Sequence, residues 1–173
     1  MSAPVTAPPA LAVGARVALL SPAGPLAGEV DLERAEHNAR TLGWEPHACP
    51  HALAREGYLA GDDASRLADL NTAIRDPRVD AIWSLRGGYG AMRVLDAIDY
   101  DALRRAPKAI IGYSDITAIH LAVRARSSLV SFHGPTARAV LTPFSRQSLL
   151  CATSHACDPF AAGTPLTWLQ EGS

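Results

Sequence analysis

The sequence predicts an α/β domain built on a doubly wound, mostly parallel sheet. Three observations carry that prediction. Short apolar runs of strand length alternate with amphipathic stretches of helical period along the 173 residues. Two of these runs lead straight into turn-prone segments, Arg86-Gly87-Gly88-Tyr89-Gly90 and Gly112-Tyr113-Ser114-Asp115. The composition, 48% hydrophobic and 19% charged, is that of a globular protein with one sizeable core.

The elements follow in order. Arg16-Val17-Ala18-Leu19-Leu20 reads as a buried strand closed by Ser21-Pro22-Ala23-Gly24-Pro25. Leu32, Ala35, Ala39 and Leu42 recur at helical spacing, with Gly43 as the expected C-terminal cap. Residues 44–49 form a second expected strand. A second helix follows Asp62 or Asp63, carries Leu67, Leu70 and Ile74, and stops at Pro77. Residues 79–85 are a third strand, and Met92, Leu95 and Ile98 mark a helix after it. Residues 108–112 are a fourth strand, 114–126 its helix and 128–132 a fifth strand. Residues 144–157 suit a helix and 165–169 an edge strand.

Composition excludes several classes of function. A formal net charge of -1 gives no field for nucleic acid or anionic lipid. No apolar run approaches the roughly 18 residues of a membrane span. Residues 1–14 lack the basic start of a signal peptide, and their Ala/Pro/Val content predicts a disordered leader ahead of a domain over 15–173. Cys49, Cys151 and Cys157 are odd in number and lack CxxC spacing, which argues against a disulfide framework or zinc site. A reduced, cytoplasmic setting is the resulting expectation.

In parallel sheets ligands bind beyond the carboxyl ends of the strands, where both turn segments fall. Ser114 at a strand-to-helix turn suits a nucleophile, and serine is equally a good helix N-cap. The hydrolase pattern G-x-S-x-G is half matched, because Ile116 replaces its second glycine. The Gly87-Gly88 loop could aim N–H groups at an oxyanion, or form a plain tight turn. It lacks the third glycine of a dinucleotide fingerprint and the Gly-Lys-Ser/Thr of a P-loop. Arg86 suits either a substrate carboxylate or a surface ion pair. His120 shares the apolar stripe of Ile116, Ile119 and Val123 and is expected to face the core, whereas His133 lies near the rim. His37, His47, His51 and His155 carry no supporting context.

These blocks together resemble the LD-carboxypeptidase family of serine peptidases, which includes the microcin-immunity enzymes. The match runs from Val17–Pro22 through Gly57-Tyr58-Leu59-Ala60-Gly61-Asp62, Arg66-Leu67-Ala68-Asp69-Leu70-Asn71, Asp76-Pro77 and Val79-Asp80-Ala81-Ile82. It continues with the Arg86–Gly90 and Gly112–Asp115 segments and ends at His133-Gly134-Pro135. The resemblance implies a flavodoxin-like fold related to class I amidotransferases. It implies hydrolysis of an L-D amide, typically releasing the terminal D-alanine of cytoplasmic murein tetrapeptides during peptidoglycan recycling. Ser114 is then the nucleophile, the N–H groups of Asp115 and Gly88 the oxyanion hole, and Arg86, Gly87 and Tyr89 substrate contacts. It implies no metal and no organic cofactor.

One departure qualifies this expectation. The family completes its triad with a glutamate and a histidine from a second, C-terminal domain. Glu171 is the only glutamate after Ser114. The chain therefore reads as the nucleophile-bearing half of such an enzyme, whether a truncated product, a split gene or a piece of a longer chain. It is expected to be inactive alone and to lack a partner domain, with a homodimer also open. The alternatives are a microcin-immunity-type peptidase acting on aminoacyl-nucleotide amides, a non-catalytic murein-peptide binding domain, and a small regulatory protein in which Ser114 only caps a helix.

Overall fold

The computed structural model describes residues 5–154. Five strands, β1 (Arg16–Leu20), β2 (Glu45–Ala48), β3 (Ala81–Ser84), β4 (Ala109–Gly112) and β5 (Phe132–His133), form one sheet in the order β2-β1-β3-β4-β5. Every pairing is parallel. That order is the flavodoxin-like one, with its switch point between β1 and β3.

The helices are α1 (Glu29–Thr41), α2 (Asp63–Arg75), α3 (Tyr100–Arg105), α4 (Thr117–Ser127) and α5 (Pro143–Ser154). Strand alternation sorts the core into two layers. Ala18, Leu20, Ile82 and Ile110 pack on one side with Leu70, Ile74, Leu103, Ile119 and Val123. Val17, Leu19, Trp83 and Ile111 pack on the other with Ala35, Ala39 and Leu149. Both faces of the sheet are thus covered, which explains why the strands read as continuous apolar runs.

Local chemistry sets the helix ends. Gly43 follows the α1 cap at φ 81°, where only glycine is unstrained, and its N–H donates to Arg40 O. Asp62 Oδ1 accepts the Ser65 N–H at 2.6 Å and caps α2.

Four expectations need correction. The helix after β3 is replaced by two 3₁₀ turns, Ala91–Arg93 and Leu95–Ala97, ahead of α3. The Asn71 side chain donates to Ala97 O and accepts the Asp99 N–H, so the end of that stretch is bonded to α2, while within it the bonds span only three residues, as in Val94 N–H to Ala91 O. β5 starts at Phe132, because Ser128 ends α4 in a left-handed conformation, φ 54°. The segment read as a disordered leader is held from Thr6 onward. Thr6 bridges to Leu129, Leu11 N–H donates to Thr153 O, and Leu11 is buried. Lastly, Cys49 is a free buried thiol, while Cys151 is disulfide-bonded. Pairing follows proximity in space, which an odd count and the spacing do not reveal. The expectations at His155, Cys157, residues 165–169 and Glu171 lie outside the described residues.

Candidate active site

Three loops meet at the carboxyl ends of β1, β3 and β4. The turn after β4 carries Ser114, whose φ of 63° puts a non-glycine residue in the left-handed region. Such a backbone costs about 1–3 kcal/mol and persists only where surrounding structure enforces it. Gly112 makes the turn possible, since a β-carbon there would stand 2.9 Å from Ile116 Cγ2. Ser114 is exposed and opens a short 3₁₀ turn, Ser114–Ile116, that runs into α4. Its hydroxyl does not cap that turn, whose N-cap is Tyr113, and makes no hydrogen bond to another described residue. The helix-cap alternative therefore does not hold.

The loop after β3 faces the serine directly. A β-carbon on Gly87 would lie 2.8 Å from Ser114 Cβ and 3.0 Å from its Oγ. Gly88 and Gly90 have φ of 103° and 117°. Asp115 Oδ2 accepts the Ala91 N–H at 2.9 Å, joining the serine turn to this loop. Neither the Gly88 N–H nor the Asp115 N–H is engaged in a hydrogen bond among the described residues.

The loop after β1 supports the far side. Gly24 N–H donates to Gly87 O at 2.8 Å, and a β-carbon on Gly24 would collide with that oxygen. Arg86 Nη1 donates to Pro25 O at 2.7 Å, and no carboxylate among the described residues pairs with it. Arg66, 1% exposed, reaches from α2 to Pro22 O at 2.7 Å and Gly90 O at 2.9 Å, and also bonds Asp63. One buried guanidinium thus ties two loops to a helix. Its position in sequence gave no sign of this clamp, nor did Gly24 of its close approach to Gly87.

The rim is aromatic. Tyr89 and Tyr58 are 62% and 65% exposed and meet edge to face with ring centres 5.6 Å apart. Tyr113 meets the exposed His133 ring at 6.4 Å. A hollow of about 290 Å³ lies between Tyr113, His133, Gly134, Pro135 and Ala139.

His120 is buried beneath the turn, as its place in the stripe predicts. Its Nε2 lies 2.9 Å from Gly112 O and its Nδ1 2.9 Å from Ser131 Oγ. A carbonyl can only accept, so Nε2 carries the proton and neutral Nδ1 accepts from Ser131. Burial pushes the His120 pKa down, against the Gly112 hydrogen bond, and the nearby His133 adds to the fall. Among the described residues no group of His, Cys, Asp or Glu side chains could hold a metal ion. The other described histidines, His37, His47 and His51, stand outside these loops; His51 Nδ1 lies 2.8 Å from Asp69 Oδ1.

Ser114 thus stands at a left-handed turn against a glycine loop, with the Gly88 and Asp115 N–H groups beside it unengaged among the described residues. The family model for the LD-carboxypeptidase N-terminal domain matches residues 17–134. A putative carboxypeptidase of Streptomyces coelicolor is 47% identical over 140 residues, 77% of this chain and 44% of that protein. The murein tetrapeptide carboxypeptidase of Pseudomonas aeruginosa is 39% identical over 135 residues, 77% of this chain and 43% of that protein. The crystal structure of an MccF-like protein from Bacillus anthracis superposes with a TM-score of 0.81 at 28% identity, covering 87% of this chain and 47% of the other. The chain thus spans less than half the length of these relatives.

Proposed function

Because this chain belongs to the LD-carboxypeptidase family of serine peptidases, we propose that it is the nucleophile-bearing half of an enzyme that hydrolyses the L-D amide holding the terminal D-alanine of murein tetrapeptides. The observation that carries the reading is Ser114, held at φ 63° with an unengaged hydroxyl against Gly87. In this reading Ser114 Oγ attacks the amide carbonyl, and the N–H groups of Asp115 and Gly88 receive the oxyanion. Arg86, Gly87 and Tyr89 contact the peptide. A serine hydroxyl is a weak nucleophile without a base. No described histidine or carboxylate hydrogen-bonds Ser114. We assign the base and its orienting acid to a second domain that docks over the aromatic rim, where Tyr58, Tyr89, Met92 and Tyr113 are all exposed. The work is on small cytoplasmic murein peptides, in peptidoglycan recycling.

The test is D-alanine release from a murein tetrapeptide by the purified chain. Turnover near 10 s⁻¹, an ordinary enzyme rate, would refute the need for a second domain. It would move the base to His133 or to a second copy of the chain. A second reading is favoured by the superposition on an MccF-like protein: a microcin-immunity-type peptidase acting on aminoacyl-nucleotide amides. Side-by-side assay of the completed enzyme on both substrate classes separates the two. Binding of either ligand without turnover by the completed enzyme favours a non-catalytic binding domain.

A further inference from the structure

We infer that the Asp115 carboxylate is a positioning residue that sets the spacing between the two walls of the oxyanion site by holding the Ala91 N–H. The inference rests on the reading of Ser114 as nucleophile with the Asp115 and Gly88 N–H groups as donors.

One wall is the serine turn after β4 and the other the glycine loop after β3. Each proposed donor belongs to a different wall, so their separation is not fixed by local covalent geometry. The loop is anchored on its far side, by Gly24 N–H to Gly87 O and by Arg66 to Gly90 O. On its near side, the Asp115–Ala91 bond is the only side-chain hydrogen bond among the described residues that joins the two walls. Gly88 and Gly90 sit at φ 103° and 117°, and glycine at such positions has the backbone freedom to reorient.

The carboxylate also fills a vacancy in capping. The Ala91–Arg93 turn begins after Gly90, which has no side chain to cap it. First-turn N–H groups need an acceptor from elsewhere, and a carboxylate is a strong one. Asp115 supplies it from the neighbouring segment. One residue then contributes a donor through its backbone and fixes the opposite donor through its side chain. Oxyanion stabilisation depends on donors preplaced at about 2.7–3.1 Å, so a loosened loop costs transition-state binding more than fold stability.

The test uses amide-resolved NMR of the full chain, with the murein tripeptide left by D-alanine removal as probe. Its terminal carboxylate presents an oxygen to the two donors. In wild type the Gly88 and Asp115 amides shift on titration. In Asp115→Ala, Ala91 amide exchange accelerates about tenfold and tripeptide affinity falls about tenfold, the scale of one hydrogen bond. Asp115→Asn, which retains an acceptor oxygen, keeps both within about twofold, the tolerance expected of a preserved hydrogen bond. Asp115→Leu repeats the test should the alanine variant not fold. Unchanged Ala91 exchange and affinity in Asp115→Ala overturn the inference and leave the proposed function standing. So does an asparagine variant as impaired as the alanine one. A wild-type chain whose Gly88 and Asp115 amides ignore the tripeptide overturns the proposed function, and the oxyanion role of Asp115 with it.

Discussion

Gly87 lies so close to Ser114 that a β-carbon on it would stand 2.8 Å from Ser114 Cβ, nearer than non-bonded carbons approach. The same added atom would meet Tyr113 O at 3.1 Å. Gly87→Ala is therefore expected to push the serine turn away from the loop. A displacement near 1 Å at a reacting atom costs roughly 10²-fold in rate. In an enzyme completed by a second domain, kcat should fall on that scale while the fold survives. Wild-type kcat in that variant would show that the contact does not hold the nucleophile.

The left-handed Ser114 backbone stores strain that stability measurements can read. Ser114→Gly relieves about 1–3 kcal/mol of strain and gives back about 0.5–1 kcal/mol to the freer unfolded chain. Urea unfolding should show a net gain of about 1 kcal/mol for Ser114→Gly and none for Ser114→Ala, which keeps the β-carbon. Equal stabilities of all three proteins would argue that the turn is unstrained.

Arg66 holds Pro22 O and Gly90 O from inside the protein. Arg66→Met leaves buried Pro22 O without its donor, at about 1–3 kcal/mol, whereas Gly90 O keeps the Arg93 N–H and loses only about 1 kcal/mol. A loss of about 2–4 kcal/mol in urea unfolding is expected. Arg66→Lys should recover only part, because Nη1 holds both carbonyls while Nη2 bonds Asp63, and an ammonium lacks that fixed planar arrangement. Full recovery by lysine would mean that charge alone suffices.

His120 gives a pH dependence with a defined sign. Burial lowers its folded-state pKa below the ordinary 6.5. As pH falls below about 6.5 the unfolded chain binds a proton that the folded chain resists, so folding stability declines. Above that pH the contribution is fully present. His120→Gln keeps an N–H for Gly112 O and removes the titration. Its stability should fall less than that of wild type between pH 7 and pH 5. Parallel curves would place the acid sensitivity elsewhere.

Much of this was legible in the sequence. The apolar runs ending at Leu20, Leu85 and Gly112 located three strand ends within a residue or so, because doubly covered strands are apolar on both faces. The Gly112–Asp115 and Arg86–Gly90 segments marked two turns that face each other in the fold, because tight turns restrict residue choice. What stayed hidden depends on partners distant in the chain. The turns that replace the helix expected around Met92 are tied to Asp115 at Ala91 and to Asn71 at residues 97 and 99. Arg66 reaches Pro22 and Gly90 from a helix whose local pattern shows only an ordinary polar position. The hold on Thr6 and Leu11 likewise comes from Ser128, Val130 and Thr153, far along the chain.

Ser114 is proposed as the nucleophile of a peptidase completed by a second domain. The most direct measurement joins this chain to the C-terminal half of the Pseudomonas aeruginosa murein tetrapeptide carboxypeptidase and follows D-alanine release from murein tetrapeptide. The chimera is predicted to release D-alanine, and Ser114→Ala to lower kcat by at least about 10³-fold, as expected for loss of a triad nucleophile. An alanine variant that releases D-alanine within a few-fold of its parent would contradict the account.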